Sequence, residues 1–174
     1  MSGSKESSSP LKVHAGTGQF EPFYDSLLMC KALEQLPGMT AKNARDLTRR
    51  KDHILNLERN ALLINYESAL LYYRLDDTSA FLLVREYDAK VPPEFSPDGR
   101  FISYLKDNNI HVVDIETKVD HPLTKEGTPT TFVGRFDWVY QEELYGRDNF
   151  KGYWWSPDST RIAFLLLDAS AVPL

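Results

Sequence analysis

Cysteine is almost missing from this chain: Cys30 stands alone among 174 residues, which excludes an intrachain disulfide and any multi-thiolate metal site. Positive charge is also scarce. Twenty Lys and Arg face 25 Asp and Glu, for a formal charge of −5 and a pI near 5.4, so a nucleic-acid partner is not expected. The one basic cluster, Arg49-Arg50-Lys51, reads as a short solvated turn. No apolar run approaches the length of a membrane span, and the first thirty residues lack the charged start, apolar stretch and cleavage site of a secretory leader. The chain therefore reads as soluble as written, and its cellular address stays unknown. A Gly-x-Ser-x-Gly elbow, the nucleophile turn of an α/β-hydrolase, is absent. His14, His53, His111 and His121 show neither metal-ligand spacing nor a paired nucleophile, so no metal and no cofactor are expected.

What is present suits one ordinary domain. Residues 1–18 are rich in Ser, Gly and Lys and nearly devoid of apolar side chains, which predicts a disordered tail over about 1–20. Residues 23–50 read as a short helical segment. Leu27, Leu28, Ala32, Leu33 and Leu36 recur at spacings of three and four, placing them on one helical face that should end before Pro37-Gly38. Thr40 is the expected N-cap of a second helix carrying Ala41, Ala44 and Leu47.

From residue 52 to residue 174 the pattern changes to short apolar runs separated by turn-forming residues. Four come in succession: Ile54-Leu55-Asn56-Leu57, Ala61-Leu62-Leu63-Ile64, Leu70-Leu71-Tyr72-Tyr73 and Phe81-Leu82-Leu83-Val84. A second set runs through Phe95, Phe101-Ile102-Ser103-Tyr104-Leu105, Ile110-His111-Val112-Val113-Asp114-Ile115 and His121-Pro122-Leu123. Asp98-Gly99 and Asn108-Asn109 tolerate the positive φ of tight hairpins, so this set reads as an antiparallel meander. A third set starts at Tyr153-Trp154-Trp155 and continues at Arg161-Ile162-Ala163-Phe164-Leu165-Leu166-Leu167.

An aromatic-Ser-Pro-Asp turn opens two of these sets, at Phe95-Ser96-Pro97-Asp98 and Trp155-Ser156-Pro157-Asp158, with a weaker copy around Leu57-Glu58-Arg59-Asn60. A four-strand unit repeating at roughly forty residues is the mark of propeller blades. An immunoglobulin-like sandwich is the alternative, and the repeated turn favours the propeller. The fold class expected is mainly β: a partial propeller of about two blades and the start of a third, preceded by the helical segment. Propellers close with about four to eight blades. The expectation is thus an incomplete propeller whose open blade edges invite self-association.

One stretch carries chemistry. Phe136-Asp137-Trp138-Val139-Tyr140-Gln141-Glu142-Glu143-Leu144-Tyr145 sets two adjacent carboxylates after an aromatic run. Both reach one cavity only if the segment is a helical turn or tight loop, since strand neighbours point to opposite faces. Two anions that close raise each other's pKa unless a cation sits between them, and a ligand ammonium is the natural partner.

DWVYQEEL followed by GYWWSPDS resembles the glutamate motif of the dipeptidyl peptidase IV branch of the prolyl oligopeptidase family. The likeness is specific over residues 136–174 and looser over about 46–131. It implies an N-terminal propeller in which Glu142 and Glu143 grip the free α-amine of peptide N-termini, with Asp137, Trp138 and Tyr140 orienting the segment. It also implies an arginine from a neighbouring blade beside the pair, for which Arg74 is a weakly matching candidate. Gln141 replaces a residue that is often acidic in relatives. Trp154 and Trp155 are expected in blade packing. The resemblance further implies a C-terminal α/β-hydrolase domain as partner in a longer serine peptidase, with the catalytic Ser, Asp and His in that domain and no catalytic residue in this chain, and relatives that are often exported. The competing reading is a noncatalytic propeller that binds proteins, as WD-repeat and Tol-type propellers do.

Overall fold

The computed structural model describes residues 10–137, 139, 142, 143 and 150–171. Its first described element departs from the expected tail. Strands β1 (Leu11–Val13) and β2 (Phe20–Pro22) pair as an antiparallel hairpin whose residues are all exposed. The local turn supplies what composition does not show. Gly18, at φ +69°, and Thr17 both donate to the His14 carbonyl, and Lys12 meets Glu21 across the strands. The first half of the expected tail, residues 1–9, lies outside the described residues.

Helices α1 (Ser26–Glu34) and α2 (Ala41–Leu47) follow, separated at the Pro37-Gly38 turn. Asp25 caps α1 by accepting from the Leu27 and Leu28 amides at 2.8 and 3.1 Å, and Thr40 caps α2 through the Asn43 amide at 3.1 Å. The buried stripe of α1 is Met29 with Leu33, while Leu27 is 73% and Leu28 43% exposed. Spacing alone put Leu27 and Leu28 inward. The helix instead turns the i, i+4 pair Met29 and Leu33 toward its partners, Ala44 and Leu47 of α2 and the first sheet.

The first sheet runs β3 (Ile54–Leu55), β4 (Ala61–Tyr66), β5 (Ala69–Arg74) and β6 (Ala80–Val84), hydrogen-bonded in chain order. The second runs β7 (Glu94–Phe95), β8 (Phe101–Lys106), β9 (Asn109–Asp114) and β10 (Asp120–Pro122), likewise in order. All pairs are antiparallel. The β8–β9 turn takes positive φ at Asp107 and Asn108, one residue earlier than the sequence suggests.

Strand alternation sends side chains of the first blade in two directions. Ala61, Leu63, Leu70 and Tyr72 meet Ile102, Tyr104 and Val113 of the second blade. Leu62, Ile64, Leu71 and Tyr73 meet the helices. The helical pair therefore covers the face of the first blade turned away from the second. Polar bonds pin it there: the Tyr24 hydroxyl donates to the Thr48 carbonyl at 3.1 Å, and the Asn43 amide donates to the Tyr66 hydroxyl at 2.8 Å.

The third unit is built differently from its predecessors. β11 (Thr131–Val133) comes before the glutamate-bearing segment and pairs with β14 (Leu166–Asp168), while β12 (Tyr153–Trp155) pairs with β13 (Ile162–Phe164). The apolar run 161–167 is thus two strands that change partner at Leu165. Val133 and Tyr153 pack with Leu105 and Ile110 of the second blade. Trp155 stacks on Phe101 and donates to the Ser103 hydroxyl at 2.8 Å, whereas Trp154, expected in blade packing too, faces the opposite way and is 44% exposed. No helix among the described residues is long and apolar enough to cross a membrane.

The repeated turn has one structure in three places. Ser96 Oγ accepts from the Phe101 amide at 2.9 Å and donates to Asp98, and Ser156 Oγ does the same with the Arg161 amide at 2.9 Å and Asp158. In the first blade Asn56 Oδ1 takes that part, accepting from the Ala61 amide at 3.0 Å. Gly99, Ser159 and Arg59 occupy the matching positive-φ position. The turns also touch one another, the Asp98 amide donating to Ser159 Oγ at 2.9 Å.

Two predictions follow from this packing. Ser96 is buried and Ser156 only half-buried, so Ser96→Ala strands the Phe101 amide and should destabilise by about 1–3 kcal/mol, more than Ser156→Ala does. Denaturant midpoints of the two variants, followed by tryptophan fluorescence, check the order. Burial also pushes the Tyr87 phenol up to about 12 and raises Tyr104 and Tyr153. A raised folded-state value means the native form keeps protons that the unfolded form sheds. Stability should accordingly hold up to about pH 10 and fall steadily above it. Absorbance at 295 nm should show Tyr87, Tyr104 and Tyr153 ionising together with unfolding rather than ahead of it.

Candidate functional site

The glutamate segment leaves the third unit between two glycines. Three backbone bonds, each 2.9 Å long, close a ring at its base: the Gly152 amide donates to the Gly134 carbonyl, the Gly134 amide to the Leu165 carbonyl, and the Leu165 amide to the Gly152 carbonyl. Gly134 sits at φ +73°, and a Cβ there would stand 2.8 Å from Ile110 Cγ1. A Cβ on Gly152 would stand 3.2 Å from the Gly134 carbonyl carbon. Glycine is therefore required at the first position and favoured at the second.

Above this ring the two arms form a short stem. Arg135 bridges Lys151, and the Phe136 amide donates to the Phe150 carbonyl at 2.8 Å. Phe136 is fully buried and Phe150 packs on the core beneath, so the stem is rooted in apolar contacts. Arg135 Nη1 donates to Asp88 at 2.8 Å and to the Asn108 side chain at 3.3 Å. Lys151 Nζ reaches Glu94 at 2.6 Å. Asp88 precedes β7 and Glu94 belongs to it, so both cations of the stem grip the second blade.

Glu142 and Glu143 lie midway along the chain between the two arms of the stem. Val139 and both glutamates have helical backbone, the pair within a wide π-type turn, and all three are exposed. Helical neighbours stand about 100° apart or less, unlike the opposed neighbours of a strand. Asp137 is half-buried near the foot of the segment. Trp138, Tyr140 and Gln141 lie outside the described residues. Arg74 closes β5 in the first blade, beside Tyr72 and the Asp76-Asp77 turn, and among the described residues it makes no ion pair with either glutamate.

A separate hollow exists elsewhere. A cavity of about 580 Å³ opens between the N-terminal hairpin, the α2–β3 connection and the first blade, lined by Leu11, Tyr24, Arg50, His53 and Leu57. Its groups are already committed. Arg50 is held by Asp52 and donates to the Asn65 carbonyl at 2.7 Å, while the His53 ring bonds the Leu47 carbonyl at 3.0 Å. Burial lowers the His53 pKa, so its ring is neutral near pH 7. Size here does not coincide with recognition chemistry, and the glutamate excursion is the stronger candidate. No group of three or more metal-ligating side chains occurs among the described residues.

Reading the sequence missed Arg135, Lys151, Asp88 and Glu94, along with β11. The available signal was positional. Arg135 and Lys151 flank the excursion symmetrically, each beside one of the two glycines that close its base.

Known proteins agree with this architecture. The profile of the dipeptidyl peptidase IV N-terminal region matches residues 57–174. Dipeptidyl aminopeptidase B of Saccharomyces cerevisiae is 40% identical over 79 residues, which make up 45% of this chain and 9% of the yeast protein. The crystal structure of Porphyromonas gingivalis dipeptidyl peptidase 4 superposes with a TM-score of 0.70 at 20% identity, covering 98% of this chain and 24% of that one. The chain thus spans a small part of the proteins it resembles, and the last likeness speaks for the fold alone. On its sequence match and its blade architecture together, this chain belongs to the family of the dipeptidyl peptidase IV N-terminal region.

Proposed function

We propose that this chain recognises the free α-amine of peptide substrates through Glu142 and Glu143, as the propeller part of a longer dipeptidyl-peptidase-IV-like serine exopeptidase. The observation that carries the proposal is the pair of adjacent carboxylates exposed on helical backbone within an excursion anchored at both arms, in a region matching that family. A protonated α-amine has three donors, and two carboxylates accept them in short charge-assisted bonds. Holding the amine at a fixed place sets the distance along the substrate from its N-terminus to the bond being cut. Such a ruler yields dipeptides and rejects internal cleavage. The bond-breaking serine, aspartate and histidine belong in this reading to an α/β-hydrolase domain of the longer protein.

The proposal is tested in the full-length polypeptide that carries this chain. Glu142→Gln with Glu143→Gln should lower kcat/KM for a dipeptidyl p-nitroanilide bearing a free amine by roughly 100-fold or more. Reaction with a small fluorophosphonate, which needs only the serine, should continue at the parent rate. Parallel loss of both activities would show the pair to be structural. The unaltered protein should also lose affinity for the amine substrate above about pH 8, where an α-amine sheds its proton.

A further inference from the structure

We propose that Arg135 and Lys151 are positioning residues, clamping the stem of the glutamate excursion to the second blade and so fixing where the pair stands. The proposal rests on the amine-binding reading and adds to it the device that holds the ruler at its mark.

Arg135 and Lys151 are direct cross-strand partners, so their side chains leave the stem on the same face. Two cations facing each other across a ladder repel, and the arrangement is stable only when each finds an anion. Both anions come from one place. Asp88 meets Arg135 at 2.8 Å and Glu94 meets Lys151 at 2.6 Å, with the stem side chains only 17% and 19% exposed. Pairs so far withdrawn from water are screened less than surface pairs. Asn108 adds a third hold: its side chain accepts from Arg135 at 3.3 Å and its carbonyl accepts from the Val133 amide at 3.2 Å.

These contacts act on both arms of the excursion at once. Each arm is tied to a rigid sheet one step from where the excursion departs, so the stem cannot tilt without breaking an ion pair. Removing one pair frees one arm while the other stays gripped, which lets the stem turn about the remaining pair. Displacing a substrate-orienting group by about 1 Å can cost on the order of 100-fold.

The experiment uses the full-length polypeptide, a free-amine dipeptidyl p-nitroanilide and a small fluorophosphonate. Arg135→Leu and Lys151→Met should each raise KM about tenfold while kcat and fluorophosphonate inactivation stay within about twofold. Lys151→Arg, which keeps the charge, should restore KM. Combined with Glu142→Gln and Glu143→Gln, the clamp variants should add nothing further, because there is no longer a charged pair to position. An unchanged KM, an undiminished effect in the glutamine background, or an equal fall in fluorophosphonate reaction would overturn the clamp. If a stem variant fails to fold, Asp88→Asn and Glu94→Gln alter the blade side of the same pairs isosterically and carry the same outcomes. If the double glutamine variant itself leaves KM unaltered, the amine-binding reading falls. If that variant raises KM and the clamp variants do not, the clamp alone falls.

Discussion

Sheets that are apolar on both faces cannot stand alone, and this constraint arranges everything else in the chain. In the first blade Leu63 and Leu70 leave one face while Leu62 and Ile64 leave the other, and all four are essentially fully buried. Burying each such side chain contributes roughly 1.5–3 kcal/mol, so either face left open would cost several times that. The helices cover one face and the second blade covers the other. The second blade repeats the problem with Ile102 and Tyr104 against Leu105 and Ile110, and the third unit answers it with Val133 and Tyr153.

The serine turn makes this stacking repeatable. By satisfying the amide that opens the next strand, Ser96, Ser156 and Asn56 let each sheet start at the same place relative to its predecessor. The Asp98–Ser159 bond then ties one turn to the next. Asn replaces Ser in the first blade with the acceptor geometry kept, which is why the motif there looks weak in letters and is intact in hydrogen bonds.

Much of this was legible beforehand, for a physical reason. Alternation and turn chemistry are local properties, and they marked eight strands of two blades, the Thr40 cap of α2 and the tight turns. What escaped reading depended on partners distant in sequence. The buried stripe of α1 is chosen by the sheet it docks on, so Leu28 and Met29 cannot be ranked from α1 alone. β11 is three residues long and takes its identity from β14, far along the chain. Trp154 and Trp155 look alike in sequence, and alternation sends them to opposite faces. For the candidate site, the doublet itself was visible as letters. Its anchoring was not, because Arg135 and Lys151 acquire meaning only beside Asp88 and Glu94.

The third unit differs from the other two because it must release the chain and take it back. In a four-stranded meander paired in chain order, a chain inserted between two strands can leave only through the turn that joins them. Exchanging partners at Leu165 opens a wider exit: the strand serves β12 first and β11 afterwards, and the chain between those two leaves from between them. The backbone ring through Gly134, Gly152 and Leu165 closes the gap, so the exchange leaves none of its three amides unpaired. Two adjacent anions on one turn repel, so the segment that displays them gains nothing from bringing them together and has to be held by its base. That base is a buried Phe136, a glycine pinch without room for a side chain at Gly134, and a stem gripping the neighbouring blade. A base so held fixes both arms at the place where the excursion departs, which is the support that a preorganised pair of like charges needs.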